Sequence, residues 1–296
     1  MTAVPDTTPS DSDRSACLSR GLEAARHFSL PFRQRNWRGI AGNWQGVGIG
    51  SSLDFQDHRP YVPGDDPRYI NWAAYARTGQ FTMKLYRPEI SPAVDLAVDI
   101  SASMFATAEK HARLLELVAF CTACAARTGA GLRCYTVGHK GARLLDSISL
   151  SKLALPQPTR GSENALRFET VPWRTNALRV LITDLLYSAN CAPTFRSSLS
   201  GSGFTVVFVP FTRPEAHPPW TGLLELLDIE TGKSRVRRWT EKDEKNYRSA
   251  YNAHIEQWRM FFRKHHAATA FVPAEGPLGK ALQAEATSTG AVEVLL

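Results

Sequence analysis

The chain has 296 residues, 43 % of them apolar and 21 % charged, with a formal net charge of +7 and a pI near 9.3. That is enough apolar mass for a real core, in one large domain or a main domain with a smaller companion. No apolar run approaches the ~20 residues of a membrane helix, and the polar start MTAVPDTTPSDSDRS has neither the basic nor the apolar stretch of a secretory signal. Membrane insertion is not expected, and the expected location is cytoplasmic.

Residues 1–27 hold a Thr/Ser/Pro/Asp-rich start, expected to be disordered over its first dozen residues, and then a weakly amphipathic segment around SRGLEAARHF. Residues 28–92 are rich in Gly, aromatics and Arg. They read as a β-rich segment with a short helix near PRYINWAAYAR and a strand at FTMKLYRPE. From residue 93 to 296 apolar strand-like runs alternate with helical stretches. AVDLAVDI precedes the helical EKHARLLELVAFCTACAART, and GLRCYTVG and ARLLDSIS follow. A short helix near SENALRF, the strand LRVLITD, a helix near PTFRSSL and the strand FTVVFVP come next. LLELLDIE, SRVRRW, a long helix from EKDEKNY to KHH, TAFVP, a helix near PLGKALQAE and AVEVLL complete the chain. Strands that are apolar throughout suit a sheet buried on both faces. Alternation with helices predicts an α/β fold, a doubly wound and mostly parallel sheet.

Five cysteines, odd in number and widely spread, are unlike a disulfide framework. Cys121 and Cys124 form a C-x-x-C inside a helical run rather than at a helix start, and read as two small buried residues. The basic residues are scattered. The densest group, KSRVRRW, alternates like an exposed strand face, so no nucleic-acid partner is expected.

Chemistry concentrates where AVDLAVDI ends. Asp99, Ser101 and Ser103 are spaced by two, and an extended chain places alternate residues on one side. One carboxylate and two hydroxyls make an all-oxygen set suited to Mg²⁺ or Mn²⁺. Two further loops offer Ser162, just after Gly161, and Asp184, at the end of LRVLITD. The competing reading is that an aspartate leaving a strand caps the following helix.

The DISAS, GSENAL and ITDLL set resembles the metal-ion-dependent adhesion site of von Willebrand factor A domains. Over about residues 40–296 the chain resembles the family called domain of unknown function fifty-eight, on the stretch GSSLDFQDHRPYVPGDDPRYINWAAYARTGQFTMKLY followed by DISASM. Ser162 stands where a threonine is usual in the metal site, and Asn71 where the family often has aspartate. The resemblance implies a von Willebrand factor A-like domain over 93–296, with Asp99, Ser101, Ser103, Ser162 and Asp184 as metal ligands. It also implies a MoxR-type AAA+ ATPase as partner.

Asp65 and Asp66 in PGDD offer an acidic pair, but adjacent residues do not normally face one point. They are expected to join Arg68 and Arg77 in one structural polar network, with Trp72 buried. GVGIG lacks the following helix and Lys-Ser/Thr of a phosphate loop. His254, His265 and His266 lack a metal-ligand spacing, and WRMFF reads as core.

The resulting expectation is a non-enzymatic, metal-dependent adaptor whose ion takes an acidic side chain of a protein partner. The alternative is a hydrolase or phosphoryl-transfer enzyme using the same ion, although Ser101 stands where such chemistry wants a second carboxylate. A weaker third reading is a nucleic-acid or acidic-surface binder driven by net charge.

Overall fold

The computed structural model describes residues 9–32, 41–45, 55–86, 89–90, 92–158, 166–187, 189–201 and 203–295. The chain divides into two compact units, one formed by residues 1–31, 93–128 and 132–296, the other by 32–92 with 129–131.

The first unit holds α1 (Asp11–His27), β1 (Ala93–Asp99), α2 (Ala108–Arg127), β2 (Gly131–Gly138), β3 (Gly141–Leu144), β4 (Leu178–Ile182) and β5 (Phe204–Phe211). It continues with β6 (Gly222–Leu227), β7 (Ser234–Trp239), α3 (Glu241–Lys264) and β8 (Ala268–Pro273). Six strands form one sheet in the order β8-β5-β4-β1-β2-β3. The pairs β1/β4, β4/β5 and β5/β8 are parallel, and β2/β3 is antiparallel. This is a mixed α/β architecture with a mostly parallel sheet. The apolar runs are the reason: Val94, Leu96, Ala97 and Val98 of β1 and Val180, Leu181 and Ile182 of β4 are all fully buried, as strands covered on both faces must be. On one face Ala97, Leu181 and Val207 meet Trp258 and Phe262 of α3. Elsewhere in the core Phe120 of α2 meets Phe208 of β5 edge-on, with ring centroids 6.3 Å apart. The chain leaves β1 first toward β2 and β3, then crosses to β4 on the other side. The switch in strand order therefore falls between β1 and β4, where ligands bind in open α/β sheets.

One buried carboxylate interrupts the apolar pattern of β1. Asp95 accepts hydrogen bonds from the Arg174 backbone N–H at 2.7 Å and from Arg174 Nε at 2.8 Å.

The N-terminal segment is helical from Asp11, so the disorder expected for the first dozen residues does not extend to its end. Ser10 and Asp13 form a reciprocal capping box that fixes the helix start. α1 then packs on α2, and Gly21 permits the approach: a Cβ there would lie 2.5 Å from Ala119 Cβ and 2.7 Å from the Glu116 carbonyl oxygen. Arg20 pairs with Glu116 at 2.6 Å across the same contact.

Two other segments depart from a simple strand–helix alternation. Among the described residues β6 and β7 pair only with each other, as an antiparallel hairpin. Most of their residues are exposed, as alternating charged side chains such as Arg235 and Arg237 require. AVEVLL yields a strand of two residues, Glu293–Val294, which pairs with Phe28–Ser29 and stays out of the six-stranded sheet.

In the second unit, Phe55–Pro60 pairs antiparallel with Thr82–Tyr86, and Ala41–Gln45 with Glu89–Ile90. Asn71 caps the helix Trp72–Thr78 by accepting from the Ala74 N–H. Trp72 is exposed, with 59 % of its surface accessible, which corrects the expectation of burial. The first turn of a short helix on the surface points it outward, edge-on to Tyr75 and Phe81. Among the described residues no helix is long and apolar enough to cross a membrane.

Candidate functional site

β1 and β4 run parallel and in register up to Val98 and Ile182, so the residues that follow them leave the sheet side by side. Asp99 and Asp184 are both buried there. One oxygen of Asp99 accepts from the Ser101 N–H at 2.7 Å, and the other from the Thr183 hydroxyl at 2.7 Å. The Tyr187 hydroxyl lies 3.5 Å from the second oxygen and is also hydrogen-bonded to Thr183. Burial raises the Asp99 pKa to about 7, with the charge of Asp184 adding to the rise; hydrogen bonds from Ser101 and Thr183 oppose it.

The hydroxyls of Ser101 and Ser103 lie 3.0 Å apart. The structure thus brings Asp99, Ser101 and Ser103 together, but through a tight turn over Ala102–Phe105 rather than the extended chain that the spacing of two implied. Ser162 lies outside the described residues. Asp184 is close to Asp99 but engaged elsewhere: one oxygen binds Lys110 Nζ at 2.8 Å and the other accepts from the Leu186 N–H at 3.2 Å. Between them, Leu185 adopts a left-handed φ of 58°. For a buried leucine that conformation costs ~1–3 kcal/mol and needs support from its surroundings. His254 on α3 provides some, with its Nε2 2.7 Å from the Leu185 carbonyl.

Lys110 is the largest feature that the sequence reading missed. It is fully buried in the first turn of α2, and its ammonium group bridges Asp184 and Glu215, the latter at 2.6 Å. Burial works against its charge, but Asp184 and Glu215 outweigh that effect and its pKa is raised. A signal was available, since Lys110 is in line with Leu114, Leu117 and Cys121 on the buried stripe of α2. A cation is also disfavoured in the first turn of a helix unless something specific holds it.

Glu230 is the second. It lies in the turn between β6 and β7, and one of its oxygens accepts from the Ser103 N–H at 2.9 Å. The other oxygen is buried without a hydrogen bond among the described residues, with His139 Nε2 3.7 Å away. Farther along the hairpin, Trp220, Trp239, Tyr247, Arg235 and Arg237 help to wall a cleft of about 730 Å³.

The donor chemistry at the end of β1 suits a small hard cation: a carboxylate, two hydroxyls and no sulfur or imidazole in the set. Among the described residues no group of three or more His, Cys, Asp and Glu side chains is placed to hold a metal ion. An ion at this point would therefore rest on the serine hydroxyls as much as on carboxylates, with Asp184 reaching it through water.

The expected network around PGDD is two separate pairs. Asp65 binds Arg59 at 2.5 Å and the Val62 N–H at 3.0 Å. Asp66 binds Arg68 at 2.6 Å and caps the turn Pro67–Tyr69. Arg77 instead donates to the Ala73 carbonyl of its own helix. The turn sends the adjacent carboxylates in different directions, and Arg59, on a neighbouring strand, is the partner sequence spacing did not indicate. Each arginine holds its aspartate below the usual carboxylate range. Cys121 and Cys124 are buried within α2, and burial pushes the Cys124 thiol up to about 11, which fits a packing role.

The chain matches the family described as protein of unknown function DUF58 over residues 57–260. No curated protein matches it. Among solved structures it is similar to the conserved hypothetical protein BatB from Bacteroides thetaiotaomicron, at 14 % identity and a TM-score of 0.36, over 67 % of this chain and 98 % of that one. It is also similar to an aerotolerance-related membrane protein from Bacteroides fragilis, at 17 % identity and a TM-score of 0.33, with the same coverage. Neither TM-score is high enough to add to the topology described above. The match to the family spans more than half of the residues, and the chain belongs to the DUF58 family.

Proposed function

We propose that this chain is a metal-dependent protein-interaction protein with a von Willebrand factor A-type unit, acting in the cytoplasm without catalysing a reaction of its own. Its ion, Mg²⁺ or Mn²⁺, is held by Asp99, Ser101, Ser103 and Ser162, with Asp184 acting through water. The ion's open position takes an acidic side chain of a partner, and the partner class is a MoxR-type AAA+ ATPase. The observation that carries this reading is the convergence of two buried aspartates and two serine hydroxyls at the switch point between β1 and β4. A cation with unfilled coordination there prefers a hard anionic oxygen, and a protein carboxylate supplies one. The ion's charge offsets the desolvation of that carboxylate.

The test is capture of the ATPase by wild type and by Asp99→Ala, each in Mg²⁺ and in EDTA. Capture by wild type in Mg²⁺ alone is the expected result. Equal capture in all four conditions would remove the adaptor mechanism and favour phosphoester turnover or a structural role for the ion.

A further inference from the structure

Resting on the ion-site reading above, we infer that Glu230, at the tip of the β6–β7 hairpin, is the site's own second carboxylate. It coordinates the cation in the free protein and occupies the position that a partner's acidic side chain takes. Three observations lead there. Within the proposed set Asp184 is committed to the Lys110 ammonium and the Leu186 N–H, whereas Asp99 is held only by neutral donors, the Ser101 N–H and the Thr183 hydroxyl, and is the carboxylate left to meet the ion directly. A divalent ion held by one carboxylate and neutral hydroxyls is short of anionic oxygen, and the number of charged ligands is what sets affinity in such sites.

Glu230 then comes from 127 residues away to place one oxygen 2.9 Å from the Ser103 N–H, on the backbone of a proposed ligand. Its other oxygen is buried without a hydrogen bond among the described residues, and His139 Nε2, 3.7 Å away, stands beyond hydrogen-bond reach. A buried carboxylate oxygen that makes no hydrogen bond is costly in general, and a cation is a natural partner for it. Finally, the hairpin pairs with no other strand among the described residues. Its turn is organised around Asp228, which accepts from the Glu230 N–H at 3.0 Å and the Thr231 hydroxyl at 2.6 Å. The hairpin presents Glu230 as a partner's loop would present its acid. A partner must then displace Glu230, and the hairpin moves when it does.

The experiment measures Mn²⁺ affinity by electron paramagnetic resonance for wild type, Glu230→Ala, Glu230→Gln and Asp99→Ala, with circular dichroism to check folding. Amide exchange of residues 228–233 is followed with and without Mn²⁺. Glu230→Ala should weaken Mn²⁺ binding by about tenfold or more, and Glu230→Gln should fall between it and wild type. Mn²⁺ should slow exchange of the hairpin turn in wild type but not in Glu230→Ala. Equal affinity of wild type and both Glu230 variants, with Asp99→Ala weakened, overturns the role of Glu230 and leaves the ion site standing. No Mn²⁺ binding to wild type overturns both.

Discussion

Replacing Asp99 by asparagine keeps its shape and removes its charge, and so isolates what burying that charge does to the metal-free protein. Its pKa rises from 3.8 to about 7 on folding, so the folded state holds this proton more tightly than the unfolded chain. The stability that the proton confers is complete below about pH 4. It is lost as pH rises through 7, because the unfolded chain ionises first and is favoured in that window. The gap from 3.8 to about 7, at ~1.4 kcal/mol per pH unit, comes to ~4 kcal/mol. Asparagine cannot ionise and retains an oxygen for the Ser101 N–H.

The assay is urea denaturation of wild type and Asp99→Asn in EDTA from pH 4.5 to 8.5. The two stabilities should diverge as pH rises, with the variant ahead by up to ~4 kcal/mol at the alkaline end. Excess Mg²⁺ at high pH should stabilise wild type and leave the variant unchanged. Parallel curves across the whole range would refute the reasoning, since they would mean that Asp99 is ionised in the fold without penalty.

Two further outcomes are expected. Lys110→Met leaves the buried Asp184 and the partly exposed Glu215 without their cation and should destabilise the protein by ~3–5 kcal/mol in EDTA, with part of the loss recovered in Mg²⁺; a variant as stable as wild type in urea would show that Lys110 does not neutralise them. Gly21→Ala drives a methyl group into Ala119 and the Glu116 carbonyl and should lower stability by ~1–3 kcal/mol; an unchanged melting temperature would place α1 elsewhere than on α2.

The sheet is legible in the sequence because its strands carry their burial in their composition. Seven residues of AVDLAVD form one strand, and every residue of LRVLI is buried. Even so, Arg179 within LRVLI is buried with its guanidinium on the carbonyls of Ser197 and Ser198, and no local pattern announces that. Asp95 is similar: its place in mid-strand implies a buried cation or N–H partner, but not that Arg174, 79 residues later, supplies both. The PGDD segment failed for the same reason. Spacing grouped Arg68 and Arg77 with the aspartates, whereas the partner of Asp65 came from Arg59 on a neighbouring strand.

The candidate site divides along that line. Asp99, Ser101 and Ser103 sit within five residues, so their closeness is local, although a tight turn over Ala102–Phe105 after the strand end, and not an extended chain, brings the two hydroxyls together. Lys110, Asp184 and Glu215 are assembled only when the sheet order is known, because three separate connections meet at the switch between β1 and β4. The sequence still constrained the outcome. A lysine on the buried stripe of α2 must find an anion, since a buried unpaired ammonium is among the costliest groups a fold can carry. The nearest anion by topology is the aspartate leaving the strand beside β1. Once Lys110 takes Asp184, the carboxylates left to serve a divalent ion are Asp99 and whatever the neighbouring loops deliver. Glu230 is the one that arrives, on a hairpin whose strands pair with no other strand among the described residues. In the proposed mechanism, a fixed ammonium on one side of Asp184 and a displaceable Glu230 on the Ser103 N–H would let the site exchange its anionic partner without exposing the buried charges beneath it.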